Sequence, residues 1–426
     1  MLESPGVVLW TRRVILFHIL FYVGDITMSN NRSNRFNYTH TIAACLCGSF
    51  VQAIANNFAP LLFLTFQSSY NIGLKDVGFL VTLNFGIQLL VDLLSAKFAS
   101  KIGSRLCMII AHILTVVGLV GLAFLPDMLT NSYLGLVISV VIYAVGGGLL
   151  EVMVSPVVEA CPTRRKSATM ALLHSFYCWG HVLTVLLSTL FFYVAGIDNW
   201  KYMAIIWAVI PALNTIFLFF VPIPEQDNSN AENHSYTSFF KNKFFWLMWI
   251  LMLCSGAAEQ GICQWASAFA EAGLGVSKAI GDLTGPLMFA LFMGFARIIY
   301  AKFSEKIDLY QYMFISVVLC AMTYLCIALV PNPVIALIAC AICGFACGIF
   351  WPGTLSLAAG NMANGGSMMF ALLALGGDVG CTVGPTIISS VSSIFNDNLK
   401  KGILVAAVFP IIMIVLLCLF YRKRKA

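Results

Sequence analysis

Asp92-Leu-Leu-Ser-Ala-Lys97-Phe-Ala-Ser-Lys101-Ile102 and Arg297-Ile-Ile-Tyr-Ala-Lys302-Phe-Ser-Glu305-Lys306-Ile307 echo each other at five of eleven positions, 205 residues apart in a chain of 426. Each closes a long apolar run and opens a short basic loop. A second echo follows at an offset of 200. Ser167-Ala-Thr-Met-Ala-Leu-Leu173 matches Ser367-Met-Met-Phe-Ala-Leu-Leu373, and Gly148 with Gly348 and Gly180 with Gly380 keep the same spacing. Two echoes at similar offsets read as an internal duplication of a unit about half the chain long.

The unit is a set of membrane helices. A spanning helix needs about 20 mostly apolar residues. Twelve such runs lie near 41–67, 77–98, 105–125, 133–155, 167–194, 200–221, 243–268, 282–303, 310–330, 333–356, 366–393 and 402–421. The chain therefore reads as a 1–40 N-terminal segment, a six-helix half at 41–221, a polar linker at 222–242, a second half at 243–421 and a basic tail at 422–426. Residues 1–27 read as an extension ahead of a natural start at Met28, because the short apolar run Val14–Val23 is followed by an Asn-rich charged stretch rather than a cleavage site.

Composition agrees with this reading. Hydrophobic residues make up 60% of the chain and charged residues 10%, where soluble proteins carry roughly 25% charged residues; mean hydropathy is +0.91. A soluble enzyme, a nucleic-acid binder and an outer-membrane barrel are all excluded. The net charge of +6 informs orientation instead. With the N-terminus inside, seventeen basic residues from Arg32 onward fall on the inner side and five (Lys75, Lys201, Lys278, Lys400, Lys401) outside. Both termini and the linker are expected to be cytoplasmic and the chain to sit in the plasma membrane as a monomer. No cofactor or metal is expected. The 14 cysteines lie almost all within spans, and Cys340-x-x-Cys343-x-x-x-Cys347 reads as small packing residues rather than a cluster ligand set.

A duplicated six-span unit resembles the major facilitator superfamily, and the loops after spans two and eight are similar to its short basic loop motif. Lys101, Gly103 and Arg105 hold the basic and Gly positions, while Ser100 stands where the motif has Asp; Lys97, Lys302 and Lys306 complete the basic set. The resemblance implies an all-α fold of two six-helix pseudo-repeats that rock about a central site, and no enzymatic activity.

Ionisable side chains inside spans are costly, at least about 2.5–3.5 kcal/mol each on insertion scales, so each needs a reason. Asp92 and Arg297 are equivalent under the repeat, near the basic ends of spans two and eight. Their opposite signs suggest an ion-pair latch between halves. Asp378, in Gly376-Gly377-Asp378-Val379-Gly380, reads either as a packing hydrogen bond or as a substrate or coupling group. Glu151 follows Gly146-Gly147-Gly148 in span four. From Gly148 to Gly180 the sequence resembles the fucose permease branch, with Ser155 in place of an Asn, His174 on a Gln position and Tyr177 on an Asn position. The resemblance implies that Glu151 is the proton-coupling carboxylate, with His174 and Tyr177 near a sugar; the alternative for Glu151 is a helix-packing hydrogen bond. A carboxyl removed from water holds a proton more readily.

In span one, Asn56-Asn57 resembles the paired Asn of that branch, but Pro60 replaces the Asp that follows. The Asn pair can bond hydroxyls or glue helices. In span seven Gln260 and Gln264 are four apart and share a face, with Glu259 beside them and Trp265 next in line. Amides and an indole suit a sugar, so these four are expected to line a cavity. Trp351, the repeat equivalent of Glu151, is expected to oppose that carboxylate, and His181 reads as a core residue. Gly380-x-x-x-Gly384-Pro385 is similar to a motif of drug antiporters but lies in span eleven rather than five. The function expected is uptake of a small polar solute of the sugar class by alternating access, with protons as the coupled ion. Efflux of amphipathic compounds is second and a non-transporting receptor third.

Overall fold

The computed structural model describes residues 36–163, 166–224, 240–303, 307–362 and 366–425. Twelve helical segments are long and apolar enough to cross a bilayer. They are α1 Tyr38–Tyr70, α2 Leu74–Ser95, α3 Ser104–Met128, α4 Ser132–Ala160, α5 Leu172–Ala195 and α6 Ile197–Phe220 in the first set. The second set comprises α7 Lys243–Gly273, α8 Lys278–Tyr300, α9 Leu309–Leu329, α10 Pro333–Asn361, α11 Met369–Ile394 and α12 Leu399–Tyr421. Every expected span is present. The even count puts both ends of the bundle and the linker on one face, termed here the linker face; the opposite one is the far face.

Short polar residues start the helices. Asn37 opens α1 with a capping box to His40, and Asn131, Asn242, Asp308, Asn332 and Asn398 each accept a backbone N–H at the head of α4, α7, α9, α10 and α12. These caps satisfy N–H groups that have no partner within the helix. Gly103, at φ +85°, makes the tight turn from α2 to α3, a conformation that suits glycine.

Among the described residues several spans are irregular, α12 breaking at Ala407. Pro60 sits in a 3₁₀ turn, Ala59–Leu62, that interrupts α1, because proline removes a helical donor and crowds the preceding turn. α10 breaks between Cys347 and Phe350. π-helical turns occupy Phe269–Gly273 in α7 and Leu283–Leu287 in α8, both near the far face.

Large apolar side chains such as Leu90, Ile113, Leu213, Phe295, Met322 and Val415 are exposed around the bundle, as lipid contact requires. Inside, small residues bring backbones together. Gly380 and Gly384 on α11 meet the backbone of Leu253 and Ala257 on α7, and Gly180 on α5 meets Phe50 and Ala53 on α1. The repeat-related glycines thus make repeat-related contacts. Buried polar groups add glue: Asn214 on α6 donates to Ala44 O at 3.0 Å and lies 2.8 Å from His112 Nε2 on α3. Cys320 and Cys343 pack inside α9 and α10 with sulfurs 4.0 Å apart.

Candidate functional site

The polar side chains that the helices cannot satisfy internally converge between the two six-helix sets. Their hub is Asn56 on α1. Its Oδ1 accepts from Gln88 at 2.7 Å and from Asn84 at 3.1 Å, both on α2, while its Nδ2 faces the Tyr177 hydroxyl on α5 at 3.4 Å. The second set supplies the other wall. Gln264 on α7 donates to Asn56 O at 3.2 Å and to Gln260 Oε1 at 3.0 Å, as the four-residue spacing predicts. Gln260 in turn leans on Glu259 Oε1 at 3.4 Å. Asn57 turns away, bonding Ala53 O at 2.9 Å and facing the Cys263 thiol at 3.7 Å. His181 is buried with Nε2 4.0 Å from the same sulfur.

Beside this amide row lies an acidic cluster. Glu151 Oε2 on α4 accepts from Gln52 Nε2 on α1 at 2.9 Å. Asp92 on α2 and Asp378 on α11 are electrostatic neighbours, and Glu151 is within electrostatic reach of both. Trp351 presses its ring on Gly377, next to Asp378. Across the site, Arg297 on α8 donates to the Cys178 sulfur on α5 at 3.2 Å and to Gly348 O at 3.2 Å, with Glu259 and Tyr177 as further electrostatic neighbours. His174 on α5 also faces Arg297. Glu259 is 5% exposed and its Oε2 has no hydrogen-bond partner.

Two sequence expectations are corrected. Asp92 and Arg297 form no latch with each other: the repeat that makes them equivalent places them on different seams, one on α11 and the other on α5. Arg105, at the basic position of the loop, donates to Leu218 O at 2.6 Å and to Phe219 O at 3.3 Å, satisfying carbonyls at the end of α6. Trp265 offers no face to a solute, since it is fully buried with Nε1 on Pro385 O at 3.1 Å and its ring against Phe63. The side chains of Lys97, Lys101 and Lys302, and Lys306 altogether, lie outside the described residues.

Sequence reading missed Gln52, Asn84 and Gln88, which hold the site together from α1 and α2. It also missed a closure at the far face. Lys278 on α8 reaches Leu61 O on α1 and Asp282 on its own helix. Asp282, fully buried, also accepts from Ser267 on α7 and from Thr189 on α5 at 3.3 Å. The π-helical turns of α7 and α8 flank this knot, and such turns often mark functional positions.

The family model for the Major Facilitator Superfamily matches residues 44–385. No curated protein matches the chain in a direct sequence comparison. Among solved structures, a bacterial homologue of the human lysosomal transporter Spinster, inward-facing and occupied, superposes with a TM-score of 0.71 at 14% identity, covering 90% of this chain and 97% of that one. The Escherichia coli xylose transporter, partially occluded and inward-open, gives 0.71 at 12% identity over 89% and 97%. The E. coli fucose:proton symporter gives 0.60 at 15% identity over 89% and 98%. These likenesses concern the fold. With a family match over most of its length and a fold of twelve spans around a polar centre, the chain belongs to the major facilitator superfamily of secondary transporters.

Proposed function

We propose that this transporter imports a small, hydroxyl-rich solute of the sugar class together with protons. The linker face would be cytoplasmic, the protein monomeric and the membrane the plasma membrane. The observation that carries the reading is the joining of an amide row to an acidic cluster between the two six-helix sets. Amides at Asn56, Gln88, Gln260 and Gln264 offer paired donors and acceptors of the kind that bind hydroxyls. Tyr177 and His174 border the same space. Four carboxyls, Asp92, Glu151, Glu259 and Asp378, share this centre with one guanidinium, Arg297. So much negative charge out of water costs several kcal/mol per ion, and bound protons offset it. Glu151 is the carboxyl assigned to coupling, with Gln52 holding it in place. The solved structures that share the fold include a D-xylose–proton symporter and a fucose:proton symporter, which agrees in chemistry with this proposal.

The test is uptake of labelled hexoses, deoxyhexoses and amino acids by cells expressing the protein, with and without a protonophore, beside Glu151→Gln. Protonophore-sensitive uptake that Glu151→Gln abolishes supports the assignment. Undiminished coupled uptake in the variant makes Glu151 a packing residue, and no import of any compound on the panel shifts the reading to efflux.

A further inference from the structure

Cys343 and Cys347 are four residues apart on α10, one above the other on a single helical face. The fold adds what their spacing does not show, a third thiol from α9. Cys320 Sγ lies 4.0 Å from Cys343 Sγ, and the sulfurs of Cys320, Cys343 and Cys347 all fall within 4.8 Å of one another. All three side chains are fully buried. At a metal–sulfur bond of about 2.3 Å, three sulfurs in a plane round one ion stand about 4.0 Å apart, so the trio needs little movement to close on an ion. Among the described residues it is the one such group of cysteine, histidine and carboxylate ligand atoms.

The surroundings fix both the spacing and the donor set. Gly344 and Gly348, on the neighbouring face of α10, press on the α8 carbonyls of Phe289 and Met293, so α10 is clamped between α8 and α9. The nearby hydroxyls are committed elsewhere: Tyr324 donates to Ala258 O at 2.7 Å and Thr323 to Cys320 O at 2.8 Å. Sulfur alone is left to bind. Cys347 also adjoins the break in α10, where Gly348 O accepts from Arg297 at 3.2 Å. The guanidinium is an electrostatic neighbour of the Cys347 sulfur and brings positive charge to the edge of the trio.

We propose that Cys320, Cys343 and Cys347 bind a single soft monovalent ion, Cu(I), as an all-sulfur staple between α9 and the break in α10. Soft thiolates select Cu(I) or zinc. Structural zinc takes four protein ligands, and catalytic zinc completes its set with water; this group holds three ligand atoms and is shut off from water. Three sulfurs satisfy Cu(I). Each sulfur that binds as a thiolate gives up one proton, and no electron moves, because the ion arrives as Cu(I). Two thiolates and one thiol round the ion carry a single negative charge, which Arg297 offsets. A site this closed takes its ion as the chain folds and then holds it. The inference does not depend on the identity of the solute or of the coupling group.

The test uses the full chain, expressed in cells supplied with copper and purified in detergent without oxygen. The wild type is expected to retain one copper ion per chain by elemental mass spectrometry, with only sulfur ligands in X-ray absorption at the copper edge. Bathocuproine disulfonate, a water-soluble Cu(I) chelator, should remove the ion only when the protein is unfolded. Cys320→Ala, Cys343→Ala and Cys347→Ala should each lose the copper, and with it the rise in unfolding temperature that a bound ion confers. Cys340→Ala, on the same helix but outside the trio, should keep both. The wild-type measurements stand by themselves if a variant fails to fold. The proposal is overturned by a copper-free wild type, by copper that persists in the three variants, by an equal loss in Cys340→Ala, or by zinc in place of copper.

Discussion

Asn56 shows how one side chain ties local chemistry to the polar centre. Its Oδ1 takes two donors from α2, its backbone carbonyl takes one from α7 and its amide faces Tyr177 on α5. Asn56→Ala strips the acceptor from Asn84 and Gln88, and leaving a buried donor unmet costs about 1–3 kcal/mol. We expect a lower unfolding temperature in detergent and, if the same amides bind solute, an increase in KM of about tenfold, equivalent to some 1.4 kcal/mol. Gln52 makes a sharper contrast. Gln52→Leu removes the donor to Glu151 without adding charge, so it should alter the pH profile of uptake while costing no more than about 1–3 kcal/mol of stability, the penalty of one unmet polar group. A shifted unfolding temperature with an unchanged profile would assign Gln52 to packing alone.

At the scale of helices, the glycines on α11 matter more for where they sit than for how they bend. A Cβ at Gly380 or Gly384 would run into the backbone of Leu253 or Ala257, which cannot move as a side chain tip can. Gly380→Val should destabilise by about 3 kcal/mol or more, the upper end of overpacking effects, read as loss of monodisperse protein on heating. Gly103→Ala should cost about 1–3 kcal/mol, the strain of an extended backbone at positive φ that glycine alone adopts readily, with no clash added because nothing lies within 4 Å of its Cβ position. These elements also show what was legible in advance. The spans followed from hydropathy, and the Gln260–Gln264 face followed from helical spacing, because both depend only on local sequence. Gln52, Asn84 and Gln88 were not legible: one polar side chain in an apolar helix does not reveal whether it points to lipid, to a neighbour or to the centre. The supposed Asp92–Arg297 latch failed for a geometric reason. Symmetry-related residues touch only near the axis, and these two instead face α11 and α5, whose Asp378 and Cys178 are themselves related by the repeat.

Across the whole molecule, the halves meet through contacts of different chemical character at different depths. The far face is tied by Lys278 and Asp282, the centre by amides and the α2–α11 seam by the hydroxyls of Thr82 and Thr386. Asp282→Asn weakens acceptance from Ser267, Thr189 and Lys278 at once, so the far face should open more often. Faster labelling of a cysteine introduced at Ser69, beside Lys278 and Asp282 in a far-face cavity of about 530 Å³, would register that change, and an unchanged rate would show that the knot does not gate. The contact of α7 with α11 has a mechanical consequence. Gly256, Gly380 and Gly384 press the two backbones together at successive turns, leaving little slack between them. Gln260 and Gln264 ride on one helix and Asp378 on the other, so the pair acts as a rigid strut with amides on one rail and a carboxyl on the other. A displacement of either rail is delivered to the other undamped, so on the proposed reading solute and proton would be geared together without needing to touch.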